Sequence, residues 1–90
     1  MRTIERSPQF KEDYKREKGG PHGEELDADL AVVFGFLMAD KPMPTRYRIA
    51  APQEKLPGYR DCYLYDDLVL IYSKTNDDVL RVLRLVRQGL

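Results

Sequence analysis

Five consecutive apolar residues, Leu68-Val69-Leu70-Ile71-Tyr72, dominate what this chain can become. A strand that is apolar on both faces sits at the centre of a sheet, because either side exposed to water would carry alternating polar residues. The chain has 90 residues in which to flank and cover that strand, enough for one small domain burying about 60–65% of its unfolded surface. With 42% hydrophobic and 33% charged residues it is too apolar for a disordered chain. Its longest apolar stretch, Leu30 to Met38 with Gly35 inside it, is too short to span a bilayer. The N-terminal MRTIERSPQF is charged throughout and has no apolar signal core, so a cytoplasmic location is expected. Cys62 has no second cysteine with which to form an internal disulfide, and no zinc-like spacing is present, so neither a structural metal nor a cofactor is expected.

Around the apolar strand, turn formers punctuate the chain. Ile4 between charged neighbours suits a short first strand, and Ser7-Pro8 then gives an N-cap and a proline at the first helical position. Phe10 and Tyr14 form a narrow stripe on this first helix, which Gly19-Gly20-Pro21-His22-Gly23 ends. From Glu25 to about Asp40, Leu26, Leu30, Val33, Phe34, Leu37 and Met38 recur at helical spacing, and Glu24, Glu25 and Asp27 suit the N-terminal dipole. Pro42-Met43-Pro44 stops that helix, and residues 45–57 read as a loop or a short edge strand. Strands resume at Gly58, with Cys62 and Leu64 alternating against Asp61, Tyr63 and Tyr65. Asp66-Asp67 and residues 73–78 make two reversals. Val79 to Leu90 fits a helix stripe and a strand equally by periodicity; as a strand it places Arg81 and Arg87 on one face with Leu83 and Leu85. The result is an α+β layout with helices on one face of a sheet.

Fifteen basic and fifteen acidic residues cancel. Their distribution is uneven: residues 42–60 hold Arg46, Arg48, Lys55 and Arg60 against Glu54 alone, and residues 79–90 add Arg81, Arg84 and Arg87 without an acid. Folded onto one face, these two stretches make an anion site on a neutral protein; spread apart, they are a solvated surface. Nucleotide-cradling loops and the serine-hydrolase elbow are absent. Cys62 reads as a small buried hydrophobe, and His22, in its Gly/Pro loop, reads as solvated.

Gly58-Tyr59-Arg60-Asp61-Cys62 followed by Asp66-Asp67-Leu68-Val69-Leu70-Ile71-Tyr72 resembles the core block of YafQ-type toxins, members of the RelE/ParE superfamily of toxin–antitoxin toxins. Pro42-Met43-Pro44 is similar to the family's P-L-P, and Leu83-Arg84-Leu85-Val86-Arg87-Gln88-Gly89 to its terminal L-R-x-x-R-T-G. The resemblance implies a β-α-α-β-β-β fold, with two N-terminal helices packed on a small antiparallel sheet and the final segment a strand. It further implies ribosome-dependent cleavage of mRNA without a metal, through attack of a 2′-OH on the adjacent phosphate. The implied partners are a cognate antitoxin, the ribosome and mRNA, with operator DNA bound through the antitoxin and no membrane.

Tyr63 stands where the family carries a histidine after GYRD, Ile49-Ala50-Ala51 where it carries an earlier one, and its terminal G-T-H falls at Gly89-Leu90 and beyond. By matching position, the resemblance makes Asp67 a candidate base and Arg87 a phosphate clamp, with Tyr63 as proton donor or base-stacking ring. The RelE branch likewise relies on Arg, Lys and Tyr instead of His. Arg46, Arg48, Lys55, Arg60 and Arg84 are the expected RNA contacts. Two other readings fit the departures: an inactive or truncated toxin fold that still binds its antitoxin, and a ParE-like gyrase inhibitor.

Overall fold

The computed structural model describes residues 2–52, 56–75 and 78–88. The elements run β1 (Thr3–Arg6), α1 (Pro8–Lys18), α2 (Gly23–Met38), β2 (Arg48–Pro52), β3 (Arg60–Tyr65), β4 (Leu68–Lys74) and β5 (Val79–Arg87). They form one five-stranded sheet in the order β1-β5-β4-β3-β2. The apolar run Leu68–Tyr72 lies in β4, the central strand, as expected.

Ser7 starts α1 as read from the sequence. Its Oγ accepts the Phe10 N–H at 2.9 Å and donates to the Leu83 carbonyl, so the cap also ties the helix to β5. α1 packs over β5 and α2 over β3, covering one face of the sheet. Between them lies a core of Phe10, Leu26, Leu30, Val33, Leu37, Cys62, Leu64, Leu68, Leu70, Leu80, Val82 and Leu85. Burying each such side chain stabilises the fold by about 1.5–3 kcal/mol before conformational entropy is counted. Val69 and Ile71 are also buried but lie outside this cluster, as alternation on a central strand requires.

Residues 45–57 supply the short edge strand that was one of their two readings, so the sheet has one strand more than the implied β-α-α-β-β-β order, and it is mixed where an antiparallel sheet was expected. Residues 48–52 form an edge strand against β3, and Pro52 is tolerated there because an edge need not donate to a further ladder. β1 runs parallel to β5, so the sheet is mixed. The final segment is a strand, paired antiparallel with β4.

Two irregularities matter for the site. In β5 the register slips so that Ile71 faces Arg84 but Tyr72 faces Val82, leaving Leu83 unpaired. This bulge shifts the alternation by one, and Leu80, Val82 and Leu85 are all buried in the same core. The uniform alternation expected for this segment therefore fails at Leu83, and Arg87 falls in phase with Leu85. In β3 the pairing slips between Tyr63 and Tyr65, which frees Tyr65 to turn towards α2 although Tyr63 does not.

Candidate functional site

α1 carries two acids among its buried residues. Asp13 and Glu17 are each 2% exposed, four residues apart and on the face that also buries Phe10. A buried carboxylate must be paired, and β5 supplies the partners. Arg84 grips Asp13 through Nε at 2.6 Å and Nη2 at 3.1 Å, the Leu85 N–H donates at 3.0 Å, and Arg16 adds Nη1 at 3.1 Å. Burial raises the Asp13 pKa, but these bonds outweigh it and hold the carboxyl below its ordinary value. Glu17 receives Arg87 Nη2 and, at 2.9 Å, Arg16 Nε.

Arg87 reaches further. Its Nη1 donates to Asp67 Oδ2 at 2.9 Å, so the two residues expected to form the core of the site are in direct contact. The second Asp67 oxygen lies 2.8 Å from His22 Nε2. The His22 hydrogen bond comes first among the causes that keep the Asp67 carboxyl below the usual range, with Arg87 contributing charge. An ionised carboxylate only accepts, so the proton between the two belongs to Nε2. Asp67 is consequently a poor proton acceptor, with both oxygens already engaged.

His22 is brought there by the linker between the helices. Gly20 N–H bonds the Glu17 carbonyl at 3.0 Å and Gly23 N–H the Gly20 carbonyl at 3.1 Å, two successive tight turns. A Cβ at position 23 would stand 2.1 Å from the Lys18 carbonyl oxygen, so only glycine permits this path. Lys18 Nζ holds the far side by bonding the Gly23 carbonyl at 3.0 Å. The imidazole then stacks on Tyr65, ring centroids 3.9 Å apart and planes 8° from parallel. Tyr65 donates its hydroxyl to Asp29 of α2, which also accepts Tyr47 and lies 3.4 Å from Arg46 Nη2. Burial opposes ionisation of Asp29, but the two phenols and Arg46 keep its pKa low. Burial, with Asp29 beside it, raises the Tyr65 pKa, so that phenol stays a donor.

Tyr63, Arg46, Arg48 and Arg84 have neighbours other than Asp67 and Arg87. Tyr63 sits under the Arg48 guanidinium, 4.6 Å from ring centroid to Cζ, and Arg48 also reaches Asp66 at 4.0 Å. Arg46 lies over Tyr47 at 5.5 Å. Arg60 is at the opposite end of β3 from Tyr65, about 16 Å along the strand. Arg84 is engaged by Asp13, and Lys55 lies outside the described residues. A groove of about 500 Å³ between α1 and α2, lined by Phe10, Tyr14, Leu30 and Phe34, shares no residue with the cluster. Among the described residues, no group of three or more His, Cys, Asp or Glu is placed to hold a metal ion.

His22, read as solvated, is the residue the sequence reading missed; its side chain is only 25% exposed. Glu17, Asp29 and Tyr65 were missed with it. Asp13 and Glu17 did carry a signal, since they share helical spacing with Phe10.

Residues 2–90 match the family model described as the YafQ toxin of bacterial type II toxin–antitoxin systems. The chain belongs to the YafQ toxin family. Among solved structures it is similar to YafQ from E. coli strain BL21(DE3), with 30% identity over 98% of this chain and 94% of that one and a TM-score of 0.78. It is similar to a metal-bound toxin from Helicobacter pylori at 29% identity, 97% and 94% coverage and a TM-score of 0.80. The YafQ of the E. coli DinJ–YafQ toxin–antitoxin complex matches at 29% identity, 96% and 91% coverage and a TM-score of 0.77. YoeB from Staphylococcus aureus shares the fold at 16% identity, 99% and 98% coverage and a TM-score of 0.74. No curated protein sequence matches the chain. In this YafQ-family fold, no described helix is long and apolar enough to cross a membrane.

Proposed function

We propose that this toxin is a metal-independent, ribosome-dependent mRNA endoribonuclease. The observation that carries the reading is the Asp67–Arg87 contact at the end of the sheet, with Arg87 in phase with the core and 37% exposed. In the reaction a 2′-OH loses its proton and attacks the adjacent phosphorus, the P–O5′ bond breaks, and the 5′-oxygen takes up a proton. Arg87 supplies the planar guanidinium that neutralises the phosphorane, and Asp67 fixes its orientation. Tyr63, with Arg48 stacked over it, presents an aromatic face and a phenol at which a base stacks or the leaving oxygen gains its proton. Arg46, Arg48, Lys55, Arg60 and Arg84 hold mRNA and rRNA phosphates. The exposed guanidinium groups of Arg46 and Arg48, at 63% and 64% side-chain exposure, support this role.

The likeness to YafQ of the DinJ–YafQ complex supports a cognate antitoxin as partner. That antitoxin blocks the site and carries the pair to operator DNA, in the cytoplasm.

A second reading, a toxin fold retained only to bind its antitoxin, is favoured by Ile49-Ala50-Ala51 and Tyr63, which stand where the family carries histidines. One assay separates the two: mRNA incubated with the purified chain, with and without 70S ribosomes, and mapped by primer extension. Cuts that need ribosomes and disappear in Arg87→Ala support the nuclease. A folded, ribosome-bound chain that makes no cuts supports the binding-only protein.

A further inference from the structure

The ribonuclease reading needs a group to accept the 2′-OH proton, and Asp67, with both oxygens engaged, is poorly suited. The geometry points to His22 as that base: an imidazole from the helix–helix linker, oriented by Asp67 and Tyr65, taking over a role for which β2 and β3 supply no histidine. This inference rests on the nuclease reading proposed above.

Four observations carry it. His22 Nε2 is committed to Asp67 Oδ1 at 2.8 Å, which fixes the ring tautomer and leaves the lone pair on Nδ1. His22 is the N-cap residue of α2, yet its side chain makes no capping bond, so Nδ1 is not occupied by the helix end. The ring is clamped face to face on Tyr65, which is itself anchored by Asp29, so it cannot rotate away from Asp67 without losing the stack. Asp67 joins it to Arg87, so a base and a phosphate clamp share one carboxylate. A carboxylate behind an imidazole whose other nitrogen makes no capping bond is an arrangement by which a histidine is held as a general base, and the resulting imidazolium is stabilised by the anion.

The proton account closes. Nδ1 takes the 2′-OH proton as O2′–P forms, and P–O5′ breaks with Arg87 on the phosphorane. The 5′-oxygen is protonated by a water, and the imidazolium returns its proton to the hydroxide left behind. The charged and titratable groups facing His22 are Asp67 from the β3–β4 turn, Tyr65 of β3 and Asp29 of α2. Arg87 lies one contact further, behind Asp67, with Glu17 behind Arg87 in turn, and Arg46 lies behind Asp29.

The test is single-turnover cleavage of a ribosome-bound mRNA by the full chain and by His22→Ala and His22→Gln, with circular dichroism confirming that each folds. His22→Gln keeps a donor towards Asp67 and therefore separates positioning from proton transfer. The expected result is a loss of at least about 100-fold in both variants with ribosome binding retained. Added imidazole should restore part of the rate in His22→Ala, and the acid limb of the pH–rate profile should flatten. Wild-type chain that cuts beside variants cutting within threefold of it overturns the role of His22 alone. So does a large loss without imidazole rescue and with an unchanged pH profile, since that marks a structural residue. Wild-type chain that does not cut on ribosomes overturns the nuclease reading itself.

Discussion

Arg84→Met keeps the aliphatic stem and removes the charge that grips Asp13. In the structure Asp13 is 2% exposed and receives two bonds from Arg84, one from the Leu85 N–H and one from Arg16. Removing one partner of a buried pair costs about 3–5 kcal/mol when the remaining charge is stranded. Here it is not fully stranded, because Leu85 and Arg16 stay, and Arg84 is itself 43% exposed, so solvent screens part of the pair. The expected loss is about 2 kcal/mol, which for a chain this size lowers the melting temperature by about 10 °C. Because Asp13 has a folded-state pKa below its ordinary value, its contribution is present above the unfolded-state pKa and is lost as pH falls through the folded one. In Arg84→Met less remains to oppose burial, so the gap to wild type is full at pH 7 and narrows as pH falls through the carboxylate range. Urea unfolding followed by circular dichroism, repeated across that range and in an Asp13→Asn/Arg84→Met cycle, reads the size and the sign. A loss under about 0.5 kcal/mol at pH 7, or a gap indifferent to pH, refutes the reasoning.

Cys62 is 0% exposed and burial pushes its thiol up to about 12, so iodoacetamide should leave it unmodified in the folded chain at pH 8 and alkylate it rapidly in urea. Tyr65→Phe keeps the His22 stack but withdraws one donor from buried Asp29; a stability loss of about 1 kcal/mol is expected, and none at all contradicts the assignment. Arg48→Ala should weaken ribosome binding and make it less salt-dependent, as titration in 50 and 200 mM salt will show, because an exposed guanidinium contributes through released counterions.

The parts of this fold that were legible in the sequence are those fixed by local pattern. Leu68–Tyr72 could only be a central strand, the stripe from Leu26 to Met38 only a helix packed on something, and Ser7-Pro8 only a helix start. Asp67 and Arg87, which the structure brings into contact, were singled out through resemblance to a family and not through anything in their local chemistry. What stayed hidden depends on contacts between distant segments. The bulge at Leu83 decides which side Arg87 faces, and it arises from how β5 meets β4, not from a residue type that announces it. The slip beside Tyr65 is similar: a strictly alternating strand puts Tyr65 with Tyr63, whereas the folded strand sends it to Asp29. His22 is 45 residues from Asp67, and its only local clue is the run of glycines around it. Those glycines read as a helix breaker, but Gly23 is required because the linker passes against the Lys18 carbonyl. Asp13 and Glu17 drew no reading from the sequence because their partners, Arg84 and Arg87, come from the far end of the chain.

On the proposed mechanism this chain cuts mRNA by using the message's own 2′-OH. That is tested most directly with two ribosome-bound messages identical except for one 2′-deoxynucleotide on the 5′ side of the mapped cut. The all-ribose message should be cleaved to a 2′,3′-cyclic phosphate and a 5′-hydroxyl, and the deoxy-substituted message should survive at that bond. Equal cutting of both messages, or of neither, contradicts the mechanism.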